Sequence, residues 1–233
     1  RLARGTELII PVAVRPAAPA RRQAASLTAE VGRTASRDDM VRISYRVQAG
    51  DPVLVYAAAG GTGTLLSQWA AALGARVIGV VSSAAKATLA RGQGCAETVL
   101  AGDPDFVKKV RELSGGGVAV AYDSVGRDTF FQSLDCLRRH GTMVSFGNAS
   151  GPVEPFSPME LAKRGSLHLT RPSLFDFIAT RADLEEGGGE LFDMIRRGAV
   201  RIAIGQRYPL RDVARAHQDL EGRRTTGATI LEP

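Results

Sequence analysis

The segment from Val53 to Gly74 constrains this chain most. Val53-Leu-Val-Tyr56 is a short apolar run of the kind that forms a strand buried on both faces. Small residues follow from Ala57 to Gly63, and then Leu65, Leu66, Trp69 and Leu73 fall near one stripe of a helix. Strand, glycine turn and helix in that order predict the first βα unit of a dinucleotide-binding fold. Pyrophosphate oxygens reach the amides of a helix's first turn only where no side chain intervenes. Gly60 and Gly63 meet that demand, and Gly61 is expected to give the turn a left-handed or otherwise unusual backbone. The usual G-x-G-x-x-G spacing has Ala58 in place of its first glycine, so the turn by itself also admits a tight turn of some other α/β protein.

The chain around this unit keeps the same rhythm. Further strands are expected at Ala75–Ser82, Glu97–Leu100, Val118–Asp123, Gly141–Phe146 and Leu167–Thr170. Helices are expected at Ala84–Arg91, from an Asp103-Pro-Asp105 cap with Pro104 in the first helical position to about Leu113, and at Arg127–Arg138. Repeated βα units with short connections predict an α/β, Rossmann-type, doubly wound parallel sheet of six strands. After Thr170 the rhythm changes. A helical pattern over Ser173–Arg197 is broken by Gly187-Gly-Gly189, and a strand at Val200–Ile204, a helix at Leu210–Glu221 and a strand at Gly227–Leu231 follow. These two late strands have no partner in the six-stranded sheet and read as edges of another. The opening 44 residues differ again, being arginine-, alanine- and proline-rich. They are expected to be mostly irregular, with one short strand at Leu8–Val14 and one helix near Gln23–Val31. The division expected is therefore 1–44, an atypical segment; 45–172, a dinucleotide-binding domain; and 173–233, carboxyl-terminal helices and strands.

Composition narrows the function classes. With 233 residues the chain suffices for one large domain, or one domain and part of another. It holds no apolar run long enough to span a membrane, and its amino terminus lacks the apolar core of a secretory signal, so a cytoplasmic protein is expected. Cys95 and Cys136 have no His or Cys neighbour at ligand spacing and read as reduced, buried thiols; no structural zinc is expected. His140, His168 and His217 are too scattered for a metal site or a catalytic triad. The net charge of +6 permits a nucleic-acid partner, but the arginines are dispersed and interleaved with acids, and no motif supports one.

Four stretches carry a family resemblance: Ala57-Ala-Ala-Gly-Gly-Thr-Gly63, Tyr122-Asp-Ser-Val-Gly-Arg-Asp-Thr129, Val144-Ser-Phe-Gly-Asn-Ala-Ser-Gly151 and Leu169-Thr-Arg-Pro-Ser-Leu174. In order and content, from about Tyr45 to Pro233, the chain resembles the zinc-free, zeta-crystallin-like quinone oxidoreductases of the medium-chain dehydrogenase/reductase superfamily. The resemblance implies an enzyme that passes reducing equivalents from NADPH to a small quinone. It also implies pairing of two copies through the nucleotide domain, for which the edge from Met143 to Thr170 is expected. In this family an amino-terminal GroES-like barrel forms the second wall of the cleft, and here 44 atypical residues stand in its place. The late carboxyl-terminal strands would then belong to that incomplete barrel.

The implied cofactor residues follow position by position. Gly60, Gly61, Thr62 and Gly63 hold the pyrophosphate. Ser82, Ser83 and Lys86 follow the second strand, where an NAD-specific fold places an acid; Lys86 instead offers a cation to a 2′-phosphate, although it also reads as an ordinary exposed helix lysine. A tyrosine common in the family near the adenosine phosphate is replaced by Ala101, which lessens the implied NADP preference. Arg223, with Thr225 in the same segment, completes the phosphate pocket. Ser124 and Val125 lie where a strand meets the ligand edge, and without the resemblance they read equally as a helix cap and a core valine. Phe146, Gly147 and Asn148 line the nicotinamide side, and Pro172, Ser173 and Leu174 flank it. No catalytic acid or base is assigned, since hydride delivery requires orientation, exclusion of water and stabilisation of the quinol oxygen. Enoyl reduction on the same cofactor domain, or a non-catalytic nucleotide- or RNA-binding module, are the alternatives.

Overall fold

The computed structural model describes residues 13–14, 41–42 and 48–233. The chain divides into two compact units, Arg1–Arg46 and Val47–Pro233. Of the first, the described part is a strand pair, β1 (Ala13–Val14) antiparallel to β2 (Val41–Arg42). The expected helix near Gln23–Val31 and the earlier part of the expected strand Leu8–Val14 lie outside the described residues.

The second unit is built on a six-stranded parallel sheet. Its strands are β3 (Pro52–Val55), β4 (Arg76–Val81), β5 (Glu97–Leu100), β6 (Val118–Asp123), β7 (Leu137–Ser145) and β8 (His168–Thr170). Their order is β5-β4-β3-β6-β7-β8, so the winding reverses between β3 and β6. Helices α1 (Gly61–Ala72), α2 (Ala84–Arg91), α3 (Phe106–Ser114) and α4 (Phe130–Cys136) connect the first five strands. Right-handed crossovers on a sheet that winds both ways cover both of its faces. On one face Leu54, Tyr56, Ile78 and Val80 pack with Phe106 and Val110 of α3 and with Phe130 and Leu134 of α4. On the other, Gly79 leaves room for Cys95, whose thiol bonds the Ser67 hydroxyl of α1 at 3.5 Å. The continuous apolar runs are explained by this double coverage: all six residues of β6 are buried.

Several local expectations need correction. The helix expected over Arg127–Arg138 is only Phe130–Cys136, and β7 begins at Leu137, not at Gly141. Gly117 makes this possible, because a Cβ there would stand 2.7 Å from the Arg138 amide nitrogen, and the Val118–Leu137 pairing would be pushed apart. The Arg111 guanidinium then holds the Asp135 and Leu137 carbonyls, each at 3.1 Å. Pro104 lies in the turn before α3 instead of opening the helix; the Asp103 carboxylate accepts the Asp105 amide at 2.9 Å and Asp105 is the N-cap. A short helix α5 (Met159–Lys163) went unpredicted.

Beyond β8, α6 (Leu174–Phe177) precedes α7 (Arg181–Arg196), which runs unbroken through Gly187–Gly189. Each glycine weakens a helix by about 1 kcal/mol but does not forbid it. A capping box compensates at the start: Thr180 accepts the Asp183 amide, and Asp183 accepts that of Thr180. The next strand, β9, is Ile204–Pro209 and not Val200–Ile204. Val200 is fully buried, and Gln68 takes both backbone groups of Arg201 at 2.9 and 3.0 Å, which removes them from any ladder. A 3-10 turn (Leu210–Asp212) leads to α8 (Val213–Glu221) and β10 (Ala228–Glu232). β9 and β10 pair with each other in parallel, apart from the six-stranded sheet.

Candidate functional site

The carboxyl ends of β3 and β6 flank the point where the strand order reverses, and such crevices are where open α/β sheets take ligands. Most residues expected to contact a cofactor lie just after β3, β4, β6, β7 and β8, whereas Arg223 and Thr225 lie between α8 (Val213–Glu221) and a last strand at Ala228–Glu232.

The turn after β3 is shaped by close approach. A Cβ on Gly63 would sit 2.1 Å from the Ala57 carbonyl oxygen and 2.9 Å from the Ala58 Cα. The residue with left-handed backbone is Ala57 (φ 50°), which corrects the expectation for Gly61. Gly61 is needed for a different reason: its missing side chain clears the Gly227 carbonyl, which a Cβ would meet at 3.3 Å. Gly227 in turn donates to the Ala59 carbonyl at 2.8 Å and pairs with Gly60 in an isolated parallel bridge. The carboxyl-terminal segment, expected to bring Arg223 and Thr225 to the phosphate pocket, therefore also closes over the turn through Gly227, for which the only local sign in the sequence is a glycine beside two threonines, Thr225-Thr226-Gly227. Intrahelical bonding of α1 starts with Thr64 donating to Gly60 at 2.9 Å, so the amides of Gly61, Thr62 and Gly63 precede the ladder. No side chain caps this helix and no acid lies in its first turn. An uncapped N-terminus with glycines at its tightest points fits a diphosphate, since the amides and the helix dipole both favour an anion there.

On the β4 side, Ser83 is the N-cap of α2 and accepts the Lys86 amide at 3.3 Å, while Ser82 is exposed at the strand end. Lys86 donates from Nζ to the Arg223 carbonyl at 2.7 Å, across 137 positions of sequence. Arg223 itself has left-handed backbone (φ 56°) just past α8. Asp219 stabilises that end of α8, accepting from Arg224 Nε at 2.7 Å and from the Tyr208 hydroxyl of β9 at 2.7 Å. The Tyr208 and Arg224 donors hold the Asp219 carboxyl below its ordinary range. The Ala101 amide donates to the Val81 carbonyl at 2.9 Å, which seats Ala101 beside the end of β4 with its side chain exposed. Thr225 is half-buried in the closing segment.

On the β6 and β7 side, Ser124 and Val125 form the turn after β6; Ser124 does not cap a helix, since the N-cap of α4 is Thr129. Phe146 donates to the Asp123 carbonyl at 2.9 Å, and Gly147 has no room for a side chain because a Cβ would be 2.3 Å from the Ser124 carbonyl oxygen. Asn148 is exposed on a cavity of about 530 Å³ lined also by Phe130, Ser145, Phe156, Leu169 and Arg171. Pro172 is half-buried, whereas Ser173 and Leu174 are exposed, Leu174 by 67%. Behind the turns lies a residue not singled out from sequence: Asp123, fully buried, whose carboxylate accepts from Val125, Gly126, Thr129 and Ser133. Among the described residues, no group of three or more His, Cys, Asp or Glu side chains could hold a metal ion.

A glycine-lined helix N-terminus at the reversal point of a doubly wound parallel sheet defines a dinucleotide-binding domain of the dehydrogenase and reductase type. The zinc-binding dehydrogenase family model matches residues 61–187, and the chain belongs to that family, within the medium-chain dehydrogenase/reductase superfamily. It is 47% identical over 83% of its length to a quinone oxidoreductase of Salmonella typhimurium and 44% identical over 82% to a 2-haloacrylate reductase of a Burkholderia species. Among solved structures it is similar to the Escherichia coli quinone oxidoreductase complexed with NADPH, at 45% identity and a TM-score of 0.75, covering 79% of this chain and 58% of that one. The chain spans about three fifths of the curated relatives it matches, 60% of the first and 58% of the second. Among the described residues no helix is long and apolar enough to cross a membrane.

Proposed function

We propose that this chain is the cofactor-binding portion of an NADPH-dependent quinone reductase. The observation that carries the reading is the meeting of Lys86 and Arg223 beside a β4 turn that holds no acid. A lysine at the place where an NAD-specific fold puts a carboxylate, tied through its ammonium to the backbone of the segment that carries Arg223, favours a 2′-phosphate over a free 2′-hydroxyl. Similarity to proteins named quinone oxidoreductases, one of them solved with NADPH, supports both the cofactor and the substrate class.

In this reading Gly60, Gly61, Thr62 and Gly63 bind the diphosphate; Ser82, Ser83, Lys86, Arg223 and Thr225 surround the phosphorylated ribose. Ser124, Val125, Phe146, Gly147 and Asn148 orient the nicotinamide half, with Pro172, Ser173 and Leu174 beside it. The bound cofactor supplies the hydride, and the protein supplies orientation and a dry surface. Residues 45–172 form the nucleotide domain, and 173–233 supply carboxyl-terminal helices and strands that would complete the catalytic domain. The edge from Met143 to Thr170, which ends in the edge strand β8, pairs two copies into a cytoplasmic homodimer. The likeness to a 2-haloacrylate reductase favours one second reading, reduction of a conjugated double bond on the same cofactor site. The test is turnover by the purified chain with NADPH and a simple quinone, run beside an enoyl thioester. Quinone turnover alone supports the first reading, thioester turnover alone the second. Cofactor binding with neither identifies a cofactor module, and salt-sensitive RNA binding without cofactor binding overturns both readings.

A further inference from the structure

Asp123 ends β6 with no exposed surface, one residue before the turn expected to meet the nicotinamide half of the ligand. Its Oδ1 accepts the amides of Val125 at 2.7 Å and Gly126 at 3.1 Å. Its Oδ2 accepts the hydroxyls of Thr129 at 2.7 Å and Ser133 at 2.8 Å. One carboxylate thus ties a strand end, a turn and the N-cap and first turn of α4 together.

The turn it holds is itself joined to the turn after β7. Ser124 accepts the Ala149 amide at 3.3 Å, and Val125 accepts both the amide and the hydroxyl of Ser150, at 2.8 and 2.9 Å. Arg127 donates to the Gly151 carbonyl at 3.1 Å, and Asp128 donates to the Ser150 hydroxyl at 3.0 Å. Backbone contact leaves no slack: a Cβ on Gly126 would be 2.7 Å from the Gly151 carbonyl oxygen, and one on Gly147 would be 2.3 Å from that of Ser124. A displacement of the β6 turn is therefore transmitted to Gly147 and Asn148.

We propose that Asp123 is a positioning residue: it sets, without touching the ligand, the paired surface of Ser124, Val125, Gly147 and Asn148 against which the nicotinamide half of the dinucleotide lies. The proposal rests on the NADPH reading above. In that reading the diphosphate would lie at the start of α1 and the two halves of the dinucleotide would extend to opposite sides of the strand reversal, the adenosine half toward β4 and the nicotinamide half toward β6 and β7. Loss of Asp123 should then weaken one half only.

The chemistry separates two substitutions. Asp123→Ala removes the acceptor shared by four donors, two of them buried, and releases the turn. Asp123→Asn keeps an oxygen for the two amides, and its NH2 faces two hydroxyls that can turn and accept; Thr129 Oγ1 already has the Gly126 carbonyl at 3.3 Å as another acceptor. The experiment is a titration of the wild-type chain and each variant with NADPH and with 2′-phospho-ADP-ribose, which lacks the nicotinamide, alongside thermal unfolding. Asp123→Ala should raise the NADPH Kd by about tenfold and leave the fragment's Kd within about twofold, and Asp123→Asn should restore most of the loss. If Asp123→Ala does not fold, the double variant Thr129→Val and Ser133→Ala, which removes two donors and leaves the carboxylate on its amides, should show the same one-sided loss at smaller size. Equal losses for NADPH and fragment, as a purely structural role would give, overturn the proposal. So does a wild-type chain that binds NADPH no more tightly than the fragment. Failure of the wild-type chain to bind either ligand overturns the NADPH reading itself, and the proposal with it.

Discussion

Gly63→Ala tests the glycine cradle with one added carbon. The new Cβ would be 2.1 Å from the Ala57 carbonyl oxygen, about 1.3 Å inside the 3.4 Å at which ordinary contact begins, and also within 2.9 Å of the Ala58 Cα. Both obstacles are backbone, so no rotamer change relieves them. Ala57 has left-handed backbone already, and it accepts the Gly60 amide at 2.8 Å, so the turn has little freedom to retreat. Overpacking of this kind costs about 1–3 kcal/mol. For a unit of this size that lowers Tm by roughly 2–12 °C. The displaced helix start also moves the amides that would hold a diphosphate, so NADPH affinity should fall by at least about tenfold, or about 1.4 kcal/mol. Gly102→Ala is the control, since a Cβ there meets nothing within 4 Å. Thermal unfolding and NADPH titration of both variants decide the matter. A Gly63→Ala chain with unchanged Tm and unchanged affinity would refute the close-packed turn as the basis of the site.

Lys86→Ala should raise the Kd for NADPH by about tenfold while leaving that for NADH within about twofold, read by titration with each; equal changes would remove Lys86 from 2′-phosphate recognition. Gly187→Ala, in the interior of α7 with open space around the new carbon, should stabilise by about 0.5–1 kcal/mol on thermal or denaturant unfolding, and a loss would contradict an unbroken helix. Burial, with the Asp135 charge adding to it, pushes the Cys136 thiol from its ordinary 9.0 up to about 12. Because the folded value is the higher one, the stability this thiol contributes is fully present below pH 9 and is lost as pH rises from 9 toward 12. Native Cys136 should accordingly resist alkylation at pH 8 and react once the chain is denatured; fast reaction in the native chain would show that it is not buried.

The centre of the sheet was legible because β3, β4 and β6 are buried, almost wholly apolar runs. Ala84–Arg91, Glu97–Leu100 and Val118–Asp123 fall where the pattern put them. Two of the misses share one cause, long-range contacts that override local pattern. β7 begins early because Gly117 admits Arg138 beside it, and Arg201 leaves the ladder because Gln68 takes both of its backbone groups. Gly187–Gly189 read as a break, although glycine in a capped helix is a cost rather than a stop. For the site, glycine spacing and the missing acid after β4 were visible in sequence. The closing of Gly227 over Gly61, the Lys86–Arg223 contact and the four donors on Asp123 join residues whose relation only the fold supplies.

The most direct measurement is titration of the purified chain with NADPH and with NADH, followed by Trp69 and cofactor fluorescence. Saturable binding of both at one site, with NADPH the tighter, is expected. Binding of neither nucleotide, or tighter binding of NADH, would contradict it.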